Sequence, residues 1–405
     1  MGWVQAACLK EIHGGGHAGD LYLADARDAQ WRRFAGQAQC VYLDPPFLTG
    51  EDFCMRMRVG DRGWRTGKET LTLPAYSDRF DSREEYLRML RPALENAREM
   101  LGESGSFFLH LDQRMSAYAR ILCDEVFGEK NFFNEIIWAY QSGGRSVKRF
   151  SRKHDVILFY RKSRRHFFDI TAVPLPRSEN RSNHMRKCVD ENGRTYRTIQ
   201  SGGKIYTYYD DDPVYPGDVW TDVSHLQQKD PQRTGYDTQK PLALLNRIIL
   251  CSTRPGDLVC DLFSGSGTTA AAAAQQKRRF LAADRGAPEL AVMRKRLLGV
   301  EMTVHAPCDG RARMAAQMIP GIAYRDVRLT DYAPASGTVR GLDAVDQWSV
   351  GFYENGVFRA QSSAARRKQS PELPDYLQLP QLRGTPAVLI VDVYGSRTLW
   401  RYEEE

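Results

Sequence analysis

Two stretches of this chain place residues in patterns that could do chemistry: VYLDPPFLTG at 41–50 and VCDLFSGSGTTAAAAA at 259–274. In the first, an apolar run ends in Asp44, followed by Pro45, Pro46 and Phe47. A carboxylate at a strand's carboxyl end faces the crevice in which open α/β sheets bind ligands. The two prolines fix φ and remove two N–H donors, so nearby carbonyls are free to accept. Asp44 and the Pro45 carbonyl could then take both protons of an exocyclic amine, and Phe47 offers a flat face to a heterocycle. Asp-Pro-Pro also reads as a plain turn.

In the second stretch a strand ends at Asp261, and Gly265 and Gly267 bracket a tight turn before a helix opens at Thr268. Glycines there permit positive φ and let backbone approach a ligand closely. One strand later FLAAD ends in Asp284, where an acid can reach ribose hydroxyls. The phosphate-binding pattern G-x-x-x-x-G-K-[ST] is absent, and Ala270 stands where the G-x-G-x-x-G pattern needs its last glycine. A small neutral turn points away from a pyrophosphate dinucleotide and towards S-adenosylmethionine, which has ribose and adenine but no phosphate. A turn chosen only for shape satisfies the same spacing.

The elements that must position these residues alternate. Asp20–Ala26 and Gln39–Leu43 read as short buried strands with an amphipathic turn or helix between them. Residues 82–101 have helical periodicity with Ser82 as N-cap, SGSFFLHLD is a strand, and MSAYARILCDEVFG is a helix. NEIIWAY and HDVILFYRK are two further strands. After an irregular stretch, QKPLALLNRIIL (helix), DLVCDLF (strand), TTAAAAAQQKRR (helix) and FLAADR (strand) follow. Strands alternating with helices predict an α/β domain with a largely parallel sheet. WSVGFYENGVF predicts a hairpin about Asn355-Gly356, and with AVLIVDVYG it marks a β-rich C-terminal appendage.

At 405 residues, 42% hydrophobic, the chain can build two or three domains. Lys+Arg exceed Asp+Glu by 57 to 50, a mild lean towards polyanionic partners. The eight cysteines form no C-x-x-C pair, which argues against a disulfide framework or zinc site and fits a reducing cytoplasm. No metal is expected. MGWVQAACLKEIHGGGH lacks a signal pattern and no apolar run reaches membrane-spanning length, so a soluble cytoplasmic protein is expected. His13-Gly14-Gly15-Gly16 suggests an oxyanion loop, but no G-x-S-x-G accompanies it.

DPPF, FSGSGTT and TQKPLALLNRII resemble the signature motifs of amino-directed DNA methyltransferases, which methylate adenine N6 or cytosine N4. The catalytic motif precedes the cofactor loop, the order of the β group. AYSDRF, EEYLRML, VFGEKNFFNEIIW, VYPGDVW and RTGYDTQKP extend the likeness to solitary and type III Mod-like adenine enzymes across residues 18–300. The resemblance implies a Rossmann-like methyltransferase sheet with helices on both faces, S-adenosylmethionine as cofactor and double-stranded DNA as substrate. It implies a catalytic half at 1–160, a target-recognition insertion at 161–237, a cofactor-binding half at 238–300 and the appendage at 301–405.

Residue by residue, it implies that Asp44 and Pro45 hold the target amine, with Pro46 fixing the loop and Phe47 stacking on a flipped base. Phe263, Gly265 and Gly267, flanked by Asp261 and Thr268, line the cofactor pocket. Asp284 takes the ribose hydroxyls, Thr238 and Lys240 lie near the methionine moiety, and Asp25 is a candidate for the adenine. Leu48 departs from the family, which often has Asn there, and Leu262 stands where Pro is common. DNA contact is expected from Arg145, Lys148, Arg149, Arg152, Lys153, Arg177, Arg181, Arg186 and Lys187, basic residues interleaved with aromatics. The segment 58–70 reads as a mobile loop closing over DNA. His110 and Asp112 suit a structural role as readily as a catalytic one. Asp before Pro-Pro favours adenine by family habit; cytosine N4 and a silent DNA-binding homologue are the alternatives. A restriction subunit and a second copy are the candidate protein partners.

Overall fold

Three neighbouring strands of the main sheet run in parallel and deliver an acid at or just beyond their carboxyl ends: Ala38–Leu43, Leu258–Asp261 and Arg279–Asp284. The computed structural model describes residues 2–140, 146–176, 186–308 and 311–403. From one side, the core strands lie in the order Met302–His305, Gly19–Leu23, Arg279–Asp284, Leu258–Asp261, Ala38–Leu43 and Leu101–Leu111, all parallel. His154–Arg161 and Phe132–Ala139 continue the sheet in antiparallel fashion. The parallel strands read as unbroken apolar runs because both faces are covered.

Alternate residues serve alternate faces. Val41, Leu43, Phe107, Leu109 and Cys260 pack with helices Arg83–Met100 and Ser116–Phe127. Cys40, Tyr42, Phe108 and Val259 pack on the other side with Leu242–Ser252, Thr268–Gln275 and Ala287–Leu297. The α/β sheet with helices on both faces is thus as expected. Ser82 caps its helix as predicted, its side chain accepting from Glu85 N–H at 3.1 Å. Thr268–Gln275 is shorter than predicted, because Arg279 already starts the next strand.

Three expectations need correction. The largely parallel sheet holds only for the core: beyond Met302–His305 the sheet runs on through Lys10–His13 into antiparallel strands of the C-terminal region, 15 strands among the described residues. The first residues, grouped above with the catalytic half, pair with that tail, Gly2–Gln5 against Arg397–Glu403. Buried Glu11 fastens the join by accepting from Arg294 of the cofactor-side helix and Arg397 of the tail. Second, the stretch expected to be irregular holds a three-stranded antiparallel sheet, Arg186–Val189, Thr195–Ser201 and Lys204–Tyr209. Gly202 and Gly203, both at positive φ, form its two-residue turn between β-forming runs of Tyr, Thr and Ile. Third, 58–70 is no loop. It is the end of a hairpin, Asp52–Arg58 with Thr70–Ser77, whose connection contains the helix Gly60–Thr66.

The hairpin about Asn355-Gly356 is present, with both residues at positive φ (48° and 82°). A smaller sheet, Arg313–Ile319, Tyr324–Ala333 and Tyr376–Pro380, packs against it around Trp348 and Tyr332. Among the described residues no helix is long and apolar enough to cross a membrane.

Candidate active site

The strand Ala38–Leu43 ends in the buried core, and Asp44 emerges from it half-buried. Lys240 Nζ donates to Asp44 Oδ2 at 2.5 Å, while Asp44 Oδ1 is buried with no hydrogen-bond partner among the described residues. Phe47 lies over the His110 ring, centroids 5.9 Å apart and planes 23° apart. His110 is buried and held on both sides, by Tyr42 Oη at 2.7 Å and Asp155 Oδ2 at 3.2 Å. Tyr140 Oη also donates to Asp155. Burial pushes the Asp155 carboxyl up, but the interactions with His110, Lys240 and Tyr140 together outweigh it, so it sits below the usual range. His110 is therefore the floor under Phe47, and Asp112 is engaged with Arg114 beside it. The N–H groups of Phe47, Leu48 and Thr49 all donate to Asp78.

The glycine turn follows from its strand in the same way. Asp261 is buried, accepts from Phe263 N–H at 3.0 Å and Thr269 Oγ1 at 2.5 Å, and burial raises its pKa to about 7. Gly265 takes φ 48° and donates its N–H to Asp284 Oδ2 at 2.9 Å. Gly286 N–H donates to the other oxygen at 3.2 Å. Burial raises the Asp284 carboxyl above the ordinary range against the pull of these donors. A Cβ on Gly265 would meet Tyr236 Cε1 at 2.8 Å. Thr268 Oγ1 donates to the Lys240 carbonyl at 3.2 Å, tying the helix start to the segment that reaches Asp44.

Both turns open into one cleft of about 500 Å³. Asp44, Pro45, Pro46 and Phe47 line one part of it; Asp261, Phe263, Gly265, Thr268 and Asp284 line another, and Asp25, Thr238 and Lys240 complete it. Residues more than two hundred positions apart are thereby adjacent, because their strands are neighbours in the sheet. One placement differs from expectation. Gly267 is absent from the lining: it takes φ 72° at the helix start, where a Cβ would meet Met293 Cγ at 2.8 Å. Asp25 is held by Arg27, which donates to both carboxylate oxygens and keeps its pKa below the usual range.

Sequence reasoning missed Phe53 and Tyr76 from the hairpin and Tyr236, which line the same cleft. Phe53 and Tyr76 stack at 5.0 Å, and Tyr76 Oη reaches Thr238 Oγ1 at 3.4 Å. The signal was an aromatic beside each polar block, in AYSDRF and RTGYDTQKP. Glu289 was also missed. It is buried near Asp284, and burial followed by that charge raises its pKa to about 8.

Of the expected phosphate contacts, Lys148, Arg149, Arg152 and Lys153 lie between Phe132–Ala139 and His154–Arg161, at the end of the sheet to which Ala38–Leu43 points Asp44. Arg186 and Lys187 are exposed on the separate three-stranded sheet. Arg145, Arg177 and Arg181 lie outside the described residues.

Residues 38–294 match the N6_N4_Mtase family, described as DNA methylase, and the chain belongs to that family. It is 25% identical over 297 residues to the type II methyltransferase M.EcaI of Enterobacter cloacae, covering 61% of this chain and 62% of that protein. It is 24% identical over 302 residues to the DNA adenine methyltransferase YhdJ of Escherichia coli (strain K12), covering 74% of this chain and 88% of the other. Among solved structures, the PvuII DNA methyltransferase (cytosine-N4-specific) aligns with TM-score 0.46 and 17% identity over 70% of this chain and 87% of that one. The chain thus spans less than two thirds of M.EcaI's length.

Proposed function

We propose that this chain transfers the methyl group of S-adenosylmethionine to adenine N6 in double-stranded DNA. One observation carries the reading: the Asp44-Pro45-Pro46-Phe47 loop and the Gly265–Asp284 pair share a single cleft. The cleft's size and chemistry suit the cofactor. A glycine turn free of lysine and a carboxylate at the next strand tip match ribose hydroxyls and an uncharged neighbour better than phosphates. Asp284 would hold the ribose, with Phe263 and Gly265 against the nucleoside and Thr268 at the turn. The bound sulfonium supplies an activated methyl group: the N6–CH3 bond would form as the S–CH3 bond breaks, and S-adenosylhomocysteine would leave as a neutral thioether. N6 would then lose one proton to solvent past Asp44, so no metal or covalent enzyme intermediate is required.

The protein's own task is orientation and acceptance. Asp44 and the Pro45 carbonyl accept the amine's N–H groups, and the Asp44 charge opposes the positive character that N6 gains on attack. Asp44 Oδ1, the orphaned oxygen, is the acceptor left for the amine while Lys240 fixes Oδ2. Phe47, backed by His110, gives the base a face to stack on. A base paired in a duplex cannot reach Asp44, so it must leave the stack. Lys148, Arg149 and Arg152 would grip backbone phosphates around it, and Phe150, wholly exposed among them, could fill the gap.

The test is to methylate DNA with the purified chain and labelled cofactor, then digest to nucleosides. N6-methyladenine supports the reading. N4-methylcytosine replaces adenine by cytosine, and no methyl transfer to any DNA leaves a silent DNA-binding homologue.

A further inference from the structure

Four donors converge on one carboxylate behind the proposed catalytic loop. Phe47, Leu48 and Thr49 donate their N–H groups to Asp78 at 3.1, 2.7 and 3.0 Å, and Thr49 Oγ1 adds a fourth bond at 2.7 Å. Asp78 is buried, at 1% exposure. Its backbone is pinned as well, its N–H on the Glu51 carbonyl and its carbonyl on Gly50 N–H. Successive N–H groups turned onto one anion form a nest, which requires a left-handed residue within the run. Leu48 is that residue, at φ 60°. A leucine there is strained, because its Cβ crowds the following carbonyl; Asn tolerates the conformation far better. A strained residue persists only where its surroundings over-determine it.

We infer that Asp78 is a positioning residue for methyl transfer: its charge holds the strained Leu48 turn and so sets Asp44, Pro45 and Phe47 at reactive distance. The inference rests on the reading of 44–47 as the catalytic loop. It leaves the left-handed conformation of Leu48 held by an external carboxylate rather than by the residue's own preference. It also gives the hairpin a task. Asp78 directly follows the strand Thr70–Ser77, and the same hairpin carries Phe53 and Tyr76 into the cleft. At its far end the hairpin's connection is anchored to the tail, Asp61 pairing with Arg366 and Arg65 with Glu372. The loop's geometry is thus set from outside its own sequence.

The experiment compares Asp78→Ala, Leu48→Asn and the double variant with the unaltered chain. Cofactor affinity is measured by calorimetry, and single-turnover methylation is counted per cofactor-binding site. Asp78→Ala should slow transfer about 10²-fold, the effect of a small misplacement at a reacting centre, with the cofactor dissociation constant within about threefold. Leu48→Asn in that background should recover roughly tenfold, because Asn holds the turn without help. A residue that merely stabilises the fold would lower the melting temperature and leave turnover per folded site unchanged; that result overturns the inference. So does a double variant no faster than Asp78→Ala.

If Asp78→Ala does not fold, Thr49→Val removes one of the four donors and should slow transfer by several-fold; no slowing overturns the inference. Amide exchange at 47–49 keeps the two readings apart. Faster exchange in Asp78→Ala supports the clamp even if the unaltered chain methylates nothing, an outcome that would sink only the proposed function.

Discussion

The two turns that meet in the cleft are built on opposite principles. The turn at 265–267 needs φ of 48° and 72° and has glycine at both places, so its shape is written into its own residues. The turn at 44–49 needs φ of 60° at Leu48 and has the wrong residue for it. Its shape comes from Asp78, thirty residues on. Their carboxylates differ too. Asp261 is buried and Asp284 partly buried, both with raised pKa values and with hydroxyl or backbone hydrogen-bond donors, whereas Asp44 is paired with Lys240. A turn that binds a cofactor can be rigid by composition. The turn that would meet a flipped base under the proposed function is held instead by hydrogen bonds to a residue outside it.

The sharpest way to break this comparison is Asp44→Ala. If the two turns divide the work, methyl transfer should fall by about 10³-fold, as when a preorganised polar group is removed from a reacting centre. Cofactor affinity should stay within about threefold, since the turn at 265–267 and Asp284 keep the hydrogen bonds that hold them. Single-turnover assays and calorimetry on the same samples check both. An equal loss in rate and affinity would mean that the two sites are one.

The glycines divide next. Gly265→Ala places a Cβ 2.8 Å from Tyr236 Cε1, at a backbone angle that disfavours any side chain, in the wall of the cleft. It should weaken cofactor binding by about tenfold or more. Gly267→Ala crowds Met293 instead, behind the cleft, and should cost about 1–3 kcal/mol of stability with a smaller effect on binding. Thermal melts and cofactor titrations of the pair separate lining from packing. Equal losses of affinity would return Gly267 to the cofactor site.

The same contrast explains what could be read in the sequence. The glycine turn, Asp284 and the strand order around them were legible because each is specified locally: an apolar run, an acid, glycines, an alanine helix. The Asp44 loop was legible as a set of groups. Asp78 was visible only as part of AYSDRF, since nothing in its neighbours tells which backbone it will face. Residues 58–70 read as a loop because RVGDRGWRTGKET has polar and glycine content, yet their flanks are strands that pair across that helix. The strands at 186–209 were overlooked among Arg, Asn and Gly, although Gly202-Gly203 between TYRTIQ and KIYTYY is a hairpin signal. The joining of the tail to the core through Glu11, Arg294 and Arg397 is a contact between residues far apart in sequence, which no local pattern announces.

A gentler probe of the same difference is pH. Burial raises the folded pKa of Asp261 to about 7 and lifts Asp284 above the usual carboxylate range. Above about pH 4 the unfolded chain has lost these protons while the folded chain still holds them. The folded state therefore binds more protons; the contribution of Asp261 to stability declines as pH rises from about 4 towards 7, and that of Asp284 changes in the same direction. Cofactor affinity should move the other way. Ribose hydroxyls donate best to an ionised Asp284, so binding releases a proton and tightens as pH rises through that group's titration, by a few-fold. Melting curves with and without S-adenosylmethionine, taken across this range, should diverge as pH increases. Asp284→Asn should weaken binding and flatten that divergence, whereas Asp44→Ala should leave it intact, because Asp44 belongs to the other turn. Divergence that survives Asp284→Asn would place the titrating group elsewhere, with Glu289, raised to about 8, the next to test.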